Sequence, residues 1–196
     1  MKIYGDICSG NCDKVRFTAG TLGRTYEWIE IDSVRGGTRT PGFLAINPQG
    51  QVPVLVLDDG RSLAQSNAIV RFLAEGTPLL PTDGRARAKV DEWMFWESNN
   101  HEFHIAGCIA HMTYMEKSKE SRDPMRVERG YRALDIMEGH LRDNNWFVGP
   151  NITIADIVLF AYTRNADKGG FELSQRSNIR AWIARCGAAL GSAVSL

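Results

Sequence analysis

The sequence predicts an α/β unit with the element order βαβαββα, followed by an all-α helical bundle. Two observations carry this. Over the first 75 residues short apolar runs alternate with helix-spaced segments and turn residues, whereas from Ala86 onward only helical spacing recurs. Between the two, Gly76 to Pro81 interrupts both patterns. The expected division is residues 1–76, a linker at 77–84 and a helical part at 85–196, and a chain of 196 residues can bury two such cores.

In chain order, Lys2 to Asp6 reads as a strand with Ile3 and Gly5 on one face. Asn11 to Leu22 reads as a helix, because Val15, Ala19 and Leu22 recur at helix spacing and Gly23 stops them. Tyr26 to Ile31 alternates as a second strand, and strand–helix–strand within about 30 residues is a βαβ unit with parallel strands. A loop marked by Gly36, Gly37, Pro41 and Gly42 precedes a short helix at Phe43 to Ile46. Val52 to Leu57 is an apolar strand, folded onto Ser62 to Ala64 by the turn Asp58-Asp59-Gly60. Ala68 to Ala74 closes the unit, with Ile69, Phe72 and Leu73 expected inward. In the second part helices are expected at about 85–118, 126–141, 154–165 and 179–190, with Val127, Leu134, Met137 and Leu141 in phase.

Composition narrows the function classes. Lys+Arg and Asp+Glu are both 23, which argues against a phosphate-backbone partner such as nucleic acid. No apolar run reaches the roughly 18 residues of a membrane span, and the start Met1-Lys2-Ile3-Tyr4-Gly5-Asp6 lacks a signal peptide's apolar stretch. The cysteines at 8, 12, 108 and 186 are too few and scattered for a disulfide framework, so reduced thiols in a cytoplasm are expected.

Two positions stand out. Pro53 lies at the start of an apolar strand, in Asn47-Pro48-Gln49-Gly50-Gln51-Val52-Pro53-Val54. Either the strand begins there, or a cis Val52–Pro53 bond turns the Val52 backbone outward to pair with an extended ligand. Gln65-Ser66 opens a helix, and Ser66 reads as its N-cap; the N–H groups of that helix start suit a carboxylate, or serve capping alone.

Together, Ser9-Gly10-Asn11-Cys12 after a strand, Asn-Pro-x-Gly-x-Val-Pro and Gln-Ser-x-Ala-Ile closely resemble the glutathione transferase superfamily. Asn151-Ile152-Thr153-Ile154-Ala155-Asp156 is similar to that family's buried helix cap, and reads by itself as a capping box with Asp in place of Glu. The resemblance covers nearly the whole chain. It implies a thioredoxin-like N-terminal domain, glutathione as co-substrate, a small hydrophobic electrophile as second substrate, and a homodimer. By resemblance the Val52 backbone, set by Pro53, pairs with the cysteinyl part of the peptide, while Ser66 and Gln65 take its γ-glutamyl end. Gln51 and Arg39 are candidates for the glycyl end.

Catalysis requires a thiolate, and a free thiol with a pKa of roughly 8.5 is only slightly ionised at neutral pH. A hydroxyl aimed at the sulfur from the start of the first helix would hold the ionised form. Ser9 stands where serine-type members have theirs, with helix capping as the alternative role; Asn11 is the rival donor. Cys8 and Cys12 are spaced C-x₃-C, unlike a C-x-x-C redox pair. On the long helix, His101, His104 and Cys108 share a stripe with His111. That stripe extends about 15 Å, too far to converge on one metal ion, so no metal is expected. With Ile105 and Met112, these side chains are expected to wall the electrophile pocket or pack between helices. The expected activity is transfer of glutathione to an electrophilic carbon. The alternatives are glutathione-dependent reduction of disulfides or peroxides, and a non-enzymatic binding module.

Overall fold

The computed structural model describes residues 1–194. They form two compact units, Met1–Thr77, with which residues 192–194 group, and Pro78–Gly191.

In the first unit β1 (Lys2–Gly5), α1 (Gly10–Thr21) and β2 (Glu27–Glu30) make the expected βαβ unit, with β1 parallel to β2 and Ile3 opposite Trp28. A 3₁₀ turn at Gly37–Arg39 leads into α2 (Pro41–Ile46), whose first turn is capped by the Thr40 hydroxyl accepting from the Phe43 N–H at 3.3 Å. β3 (Val54–Val56) and β4 (Ser62–Ala64) form the antiparallel hairpin, and β3 also runs antiparallel to β1, giving the order β2-β1-β3-β4. α3 (Ser66–Leu73) packs against α1. Ile3, Val15, Ala19, Val54, Leu55 and Ile69 have no exposed surface and make the core.

Three details differ from expectation. β3 begins after Pro53, which has no N–H to give to a ladder. The inner face of α3 is Ile69, Val70 and Leu73, while Phe72 is 49% exposed. At 100° per residue, Val70 and Phe72 flank the Ile69–Leu73 line at equal angles of about 80°, so spacing alone does not choose between them. α1 is buried nearly all round, polar residues included. Arg16 reaches Asp13 at 3.1 Å, and Thr18 donates to the Lys14 carbonyl at 2.8 Å, so these polar groups enter the interior with partners.

The second unit is helical. The helix expected over 85–118 is α4 (Gly84–Trp96), a π-helical turn (Glu97–Glu102) and α5 (Phe103–Thr113). Its ordinary ladder is loosened where Ser98, Asn99 and Asn100 follow one another. Their side chains donate to the carbonyls of Met94, Phe95 and Trp96, four residues back, at 3.3, 3.0 and 3.3 Å. α6 (Pro124–Leu141) buries Gly130, Ala133, Leu134, Met137 and Leu141, and leaves Val127 half-buried. α7 (Ile154–Thr163) is buried on almost every side, and α8 (Ser177–Leu190) packs on it with Trp182.

Asp156, fully buried in the first turn of α7, completes the capping box with Thr153. Its carboxylate accepts from the Thr153 N–H at 3.0 Å and hydroxyl at 3.1 Å, and also from the Phe147 N–H and the Trp182 indole N–H, both at 3.0 Å. One side chain therefore ties the preceding loop, α7 and α8 together. Burial pushes its carboxyl above the usual range, and these donors pull it back. No helix among the described residues is long and apolar enough to cross a membrane.

Candidate functional site

The pairs Tyr4–Val54 and Val54–Ala64 lie at one end of the sheet. The chain leaving β1, the chain entering β3 and the chain leaving β4 are therefore neighbours there. These segments are Asp6 to Ser9, Gln51 to Pro53, and Gln65 to Ser66. The sheet topology thus gathers three distant stretches of sequence at one end of the sheet.

The Val52–Pro53 peptide is cis, Val52 is half-buried and Pro53 is buried. Ahead of it the loop is tied by Asn47, 4% exposed, whose amide donates to the Gln51 carbonyl at 2.8 Å and accepts from the Gln49 N–H at 3.1 Å. Gly50 sits at φ +63°, and a Cβ there would lie 2.5 Å from Nη1 of Arg39. The Arg39 guanidinium is thus laid against the backbone next to Gln51, and both side chains are exposed.

Gln65 takes φ 71° and ψ 114°, a sparsely populated conformation for a non-glycine residue of the kind that collects at functional sites. It, and not Ser66, is the N-cap of α3; Ser66 is the first helical residue, which corrects the sequence expectation. The Ser66 hydroxyl donates to Oδ1 of Asn11 at 2.7 Å. The first turns of α1 and α3 are thereby joined across 55 residues of sequence. The Gln65 side chain donates to Gln49 at 2.9 Å, closing the third side.

Ser9 is the N-cap of α1, at φ −85° and ψ 122°, but its hydroxyl caps no N–H of the helix. It hydrogen-bonds the Cys12 thiol. Cys12 has no exposed surface, its Sγ accepts from the Asp6 N–H at 3.3 Å, and burial pushes the thiol up to about 12. Cys8, in contrast, is exposed. Sequence reasoning missed the residue that shapes this loop. Asp6 is 7% exposed, and its carboxylate accepts from the Cys8 N–H at 2.9 Å and from the Ser33 N–H and hydroxyl at 3.1 and 2.5 Å. An acidic residue directly after a buried strand was the available signal.

In the helical unit the five residues expected to form one pocket wall are not brought together. His101 and Ile105 have no exposed surface, and Nε2 of His101 lies 2.9 Å from the Thr163 hydroxyl, so both are interhelix packing. His104 lines a cavity between the π turn and α6, Cys108 a separate one between α5 and α6, and Met112 is half-buried. Among the described residues no group of three or more His, Cys, Asp or Glu is arranged to hold a metal ion.

Residues 8–75 match the family description "Glutathione S-transferase, N-terminal domain", and residues 119–185 match "Glutathione S-transferase, C-terminal domain". Glutathione S-transferase 3 of Zea mays is 30% identical over 194 residues, covering 93% of this chain and 86% of that protein. The chain belongs to the glutathione S-transferase family. Among solved structures, a glutathione S-transferase from Pseudomonas fluorescens matches this family member with a TM-score of 0.92 at 44% identity, covering 95% of this chain and 94% of the other. The family also reaches into redox chemistry. The disulfide-bond oxidoreductase YfcG of Escherichia coli is 27% identical over 171 residues, covering 82% of this chain and 78% of its own.

Proposed function

We propose that this transferase binds glutathione at the sheet end described above and activates its thiol for addition to a hydrophobic electrophile. The observation that carries this is the Ser66–Asn11 hydrogen bond, because it sets the starts of two helices beside the cis Val52–Pro53 turn. An anionic tripeptide meets complementary groups along that line. The start of α3 offers backbone N–H groups and the positive end of a helix dipole to the γ-glutamyl carboxylate, with the Ser66 hydroxyl and Gln65 beside it. The backbone of Val52 pairs with the cysteinyl residue, and Arg39 and Gln51 face the glycyl end. That places the cysteinyl sulfur toward the start of α1, where Ser9 donates to the thiolate and Asn11 is the second donor. To do so the Ser9 hydroxyl rotates away from Cys12, a neutral thiol that gives up a weak partner.

The supporting experiment is retention on immobilised glutathione with elution by the free tripeptide, followed by conjugation of a model aryl halide. Failure to be retained removes this reading. A second reading, glutathione-dependent disulfide reduction, is favoured by the exposed Cys8 beside the same helix start and by the resemblance to a disulfide-bond oxidoreductase. It requires turnover of a glutathione mixed disulfide that exceeds conjugation and is lost in Cys8→Ser or Asn11→Ala. Retention without either turnover would leave a binding module. We further propose a homodimer in a reducing cytoplasm; Phe72 and Phe95 remain 49% and 73% exposed on the single chain, which a partner copy would cover. Sedimentation at micromolar concentration tests it.

A further inference from the structure

Three residues, Ile7, Cys8 and Ser9, carry the chain from β1 to α1 and include the proposed thiolate donor, yet little apolar packing fixes them. Ile7 is 49% exposed, and Cys8 is exposed as well. Hydrogen bonds take the place of packing. The Ile7 N–H donates to Oε1 of Glu30 at 3.1 Å, the Cys8 N–H to Oδ1 of Asp6 at 2.9 Å, and the Ser9 N–H to the Asp6 carbonyl at 3.0 Å. Every amide of the loop is therefore drawn to an internal acceptor. The Ser9 hydroxyl is the strong donor that the loop still has for a sulfur at the start of α1.

Asp6 is the centre of this arrangement. Its nearly buried carboxylate accepts three hydrogen bonds, from the Cys8 N–H on Oδ1 and from the Ser33 N–H and hydroxyl on Oδ2, the last at 2.5 Å. An ionised carboxylate only accepts, so it serves all three donors at once; an asparagine in its place turns an NH₂ toward one of them. Ser33 lies just after β2, at the root of the segment that ends in Arg39. That segment is folded on Asp32, whose Oδ1 accepts from the Arg35 N–H and whose carbonyl accepts from the Gly37 N–H, both at 2.8 Å. One carboxylate thus fastens the loop bearing Ser9 to the segment bearing Arg39.

We propose that Asp6, clasped by Ser33, is a positioning residue for the transfer reaction: it sets Ser9 so that the hydroxyl meets the glutathione sulfur. This rests on the reading of Ser9 as the thiolate donor. A hydrogen bond weakens steeply with misalignment, and a misplacement of about 1 Å can cost about a hundredfold in rate. The charge of Asp6 acts in the opposite sense. A nearby negative charge disfavours a thiolate, so removing that charge alone eases ionisation. A rise in the ionisation pH of bound glutathione on substituting Asp6 therefore reports lost placement, not lost charge. Ser33→Ala keeps the charge and removes one of the three hydrogen bonds.

The test compares Asp6→Asn, Ser33→Ala and Ser9→Ala in the full chain, each of the first two also combined with Ser9→Ala. The readouts are the ionisation pH of bound glutathione from thiolate absorbance, glutathione affinity by calorimetry, and kcat and KM with a model aryl halide. Asp6→Asn is expected to raise the ionisation pH and lower kcat by about tenfold or more, and Ser33→Ala to do the same by about threefold. Glutathione affinity changes by less than about threefold in either. With Ser9 already replaced, Ser33→Ala has no further effect and Asp6→Asn no longer raises the ionisation pH or lowers kcat, because both act through Ser9. A merely structural role lowers the melting temperature and leaves the ionisation pH of the folded protein where it was. Ser33 is half-buried, so its variant is expected to fold and decides the matter should Asp6→Asn not fold. An unmoved ionisation pH in folded Ser33→Ala, a fall in Asp6→Asn, or effects that add to those of Ser9→Ala overturn the proposal alone. An unmoved ionisation pH in Ser9→Ala overturns the donor reading and this proposal with it, as does a native chain that fails to bind glutathione.

Discussion

Substituting Ser66 by alanine tests the glutathione site most directly, because the structure sets the size of the effect in advance. The Ser66 hydroxyl gives its hydrogen to Asn11 at 2.7 Å. To donate to a γ-glutamyl carboxylate it must surrender that bond. A neutral hydrogen bond is worth about 1 kcal/mol net and one to a charged group about 1.5–3 kcal/mol, so the exchange yields about 0.5–2 kcal/mol. Ser66→Ala is therefore expected to weaken glutathione binding by about 2- to 30-fold, measured calorimetrically. Losing the Asn11 bond alone lowers the melting temperature by about 2–4 °C for a chain of this size. In Asn11→Ala the serine hydroxyl no longer has this competitor, so carboxylate binding holds or tightens. The double variant should match Ser66→Ala, because the effect of Asn11 on the carboxylate passes through Ser66. A change under twofold in a folded Ser66→Ala protein would refute the carboxylate assignment. A loss beyond a hundredfold would refute the exchange.

Three further outcomes follow from the same geometry. Ser9→Ala is expected to raise the pH at which bound glutathione ionises by about one to two units, read from thiolate ultraviolet absorbance, with little change in affinity; an unmoved midpoint assigns the donor role to Asn11. A chromogenic disulfide reagent at mildly alkaline pH should find one fast-reacting thiol per native chain, Cys8, since Cys12, Cys108 and Cys186 are buried and burial pushes each of these thiols up. Cys8→Ser should abolish that fast phase, and a second fast thiol would contradict the packing of α1. Asp156→Asn keeps one acceptor oxygen but turns an NH₂ toward donors, and is expected to cost about 2–3 kcal/mol in urea unfolding, with Asp156→Ala losing more; a loss below 1 kcal/mol would show that the four hydrogen bonds are not the tie between loop, α7 and α8.

Much of the α/β unit was legible in sequence because its signals are local. Alternation at Glu27–Glu30, the stop at Gly23 and the Asp58-Asp59-Gly60 turn each act within a few residues, and the hairpin follows from them. Phe72 reads as inward in place of Val70 because both are large and apolar and lie at equal angles on either side of the Ile69–Leu73 line. The N-cap is Gln65 and not Ser66, and the serine hydroxyl has its partner 55 residues away. Asp6 reaches Ser33 across 27 residues, which residue spacing does not show, whereas Asn47 acts locally, on Gln49 and Gln51 of its own loop. The stripe from His101 to Met112 reads in sequence as pocket wall or interhelix packing; His101, within the π turn, and Ile105 are buried packing, while His104 and Cys108 line separate cavities.

The chemistry turns on which sulfur works at the start of α1. Cys12 is placed one turn into the helix, yet it is sealed from solvent and held protonated up to about pH 12 by burial. A neutral buried thiol neither attacks nor leaves, so Cys12 is a packing residue that also anchors the Asp6 N–H. Of the two cysteines in this loop, only Cys8 is exposed. Its N–H is fixed by Asp6, while Ser9, its neighbour, supplies the hydroxyl. If the working sulfur belongs to glutathione, a hydroxyl or amide donor at Ser9 or Asn11 is what it requires, and Cys8 is dispensable. If the working sulfur is the protein's, Cys8 must form and resolve a mixed disulfide without a second cysteine in reach of solvent, leaving glutathione itself as the resolving thiol. The two reactions therefore diverge at one side chain, and conjugation surviving Cys8→Ser while mixed-disulfide turnover vanishes would show that one site supports both.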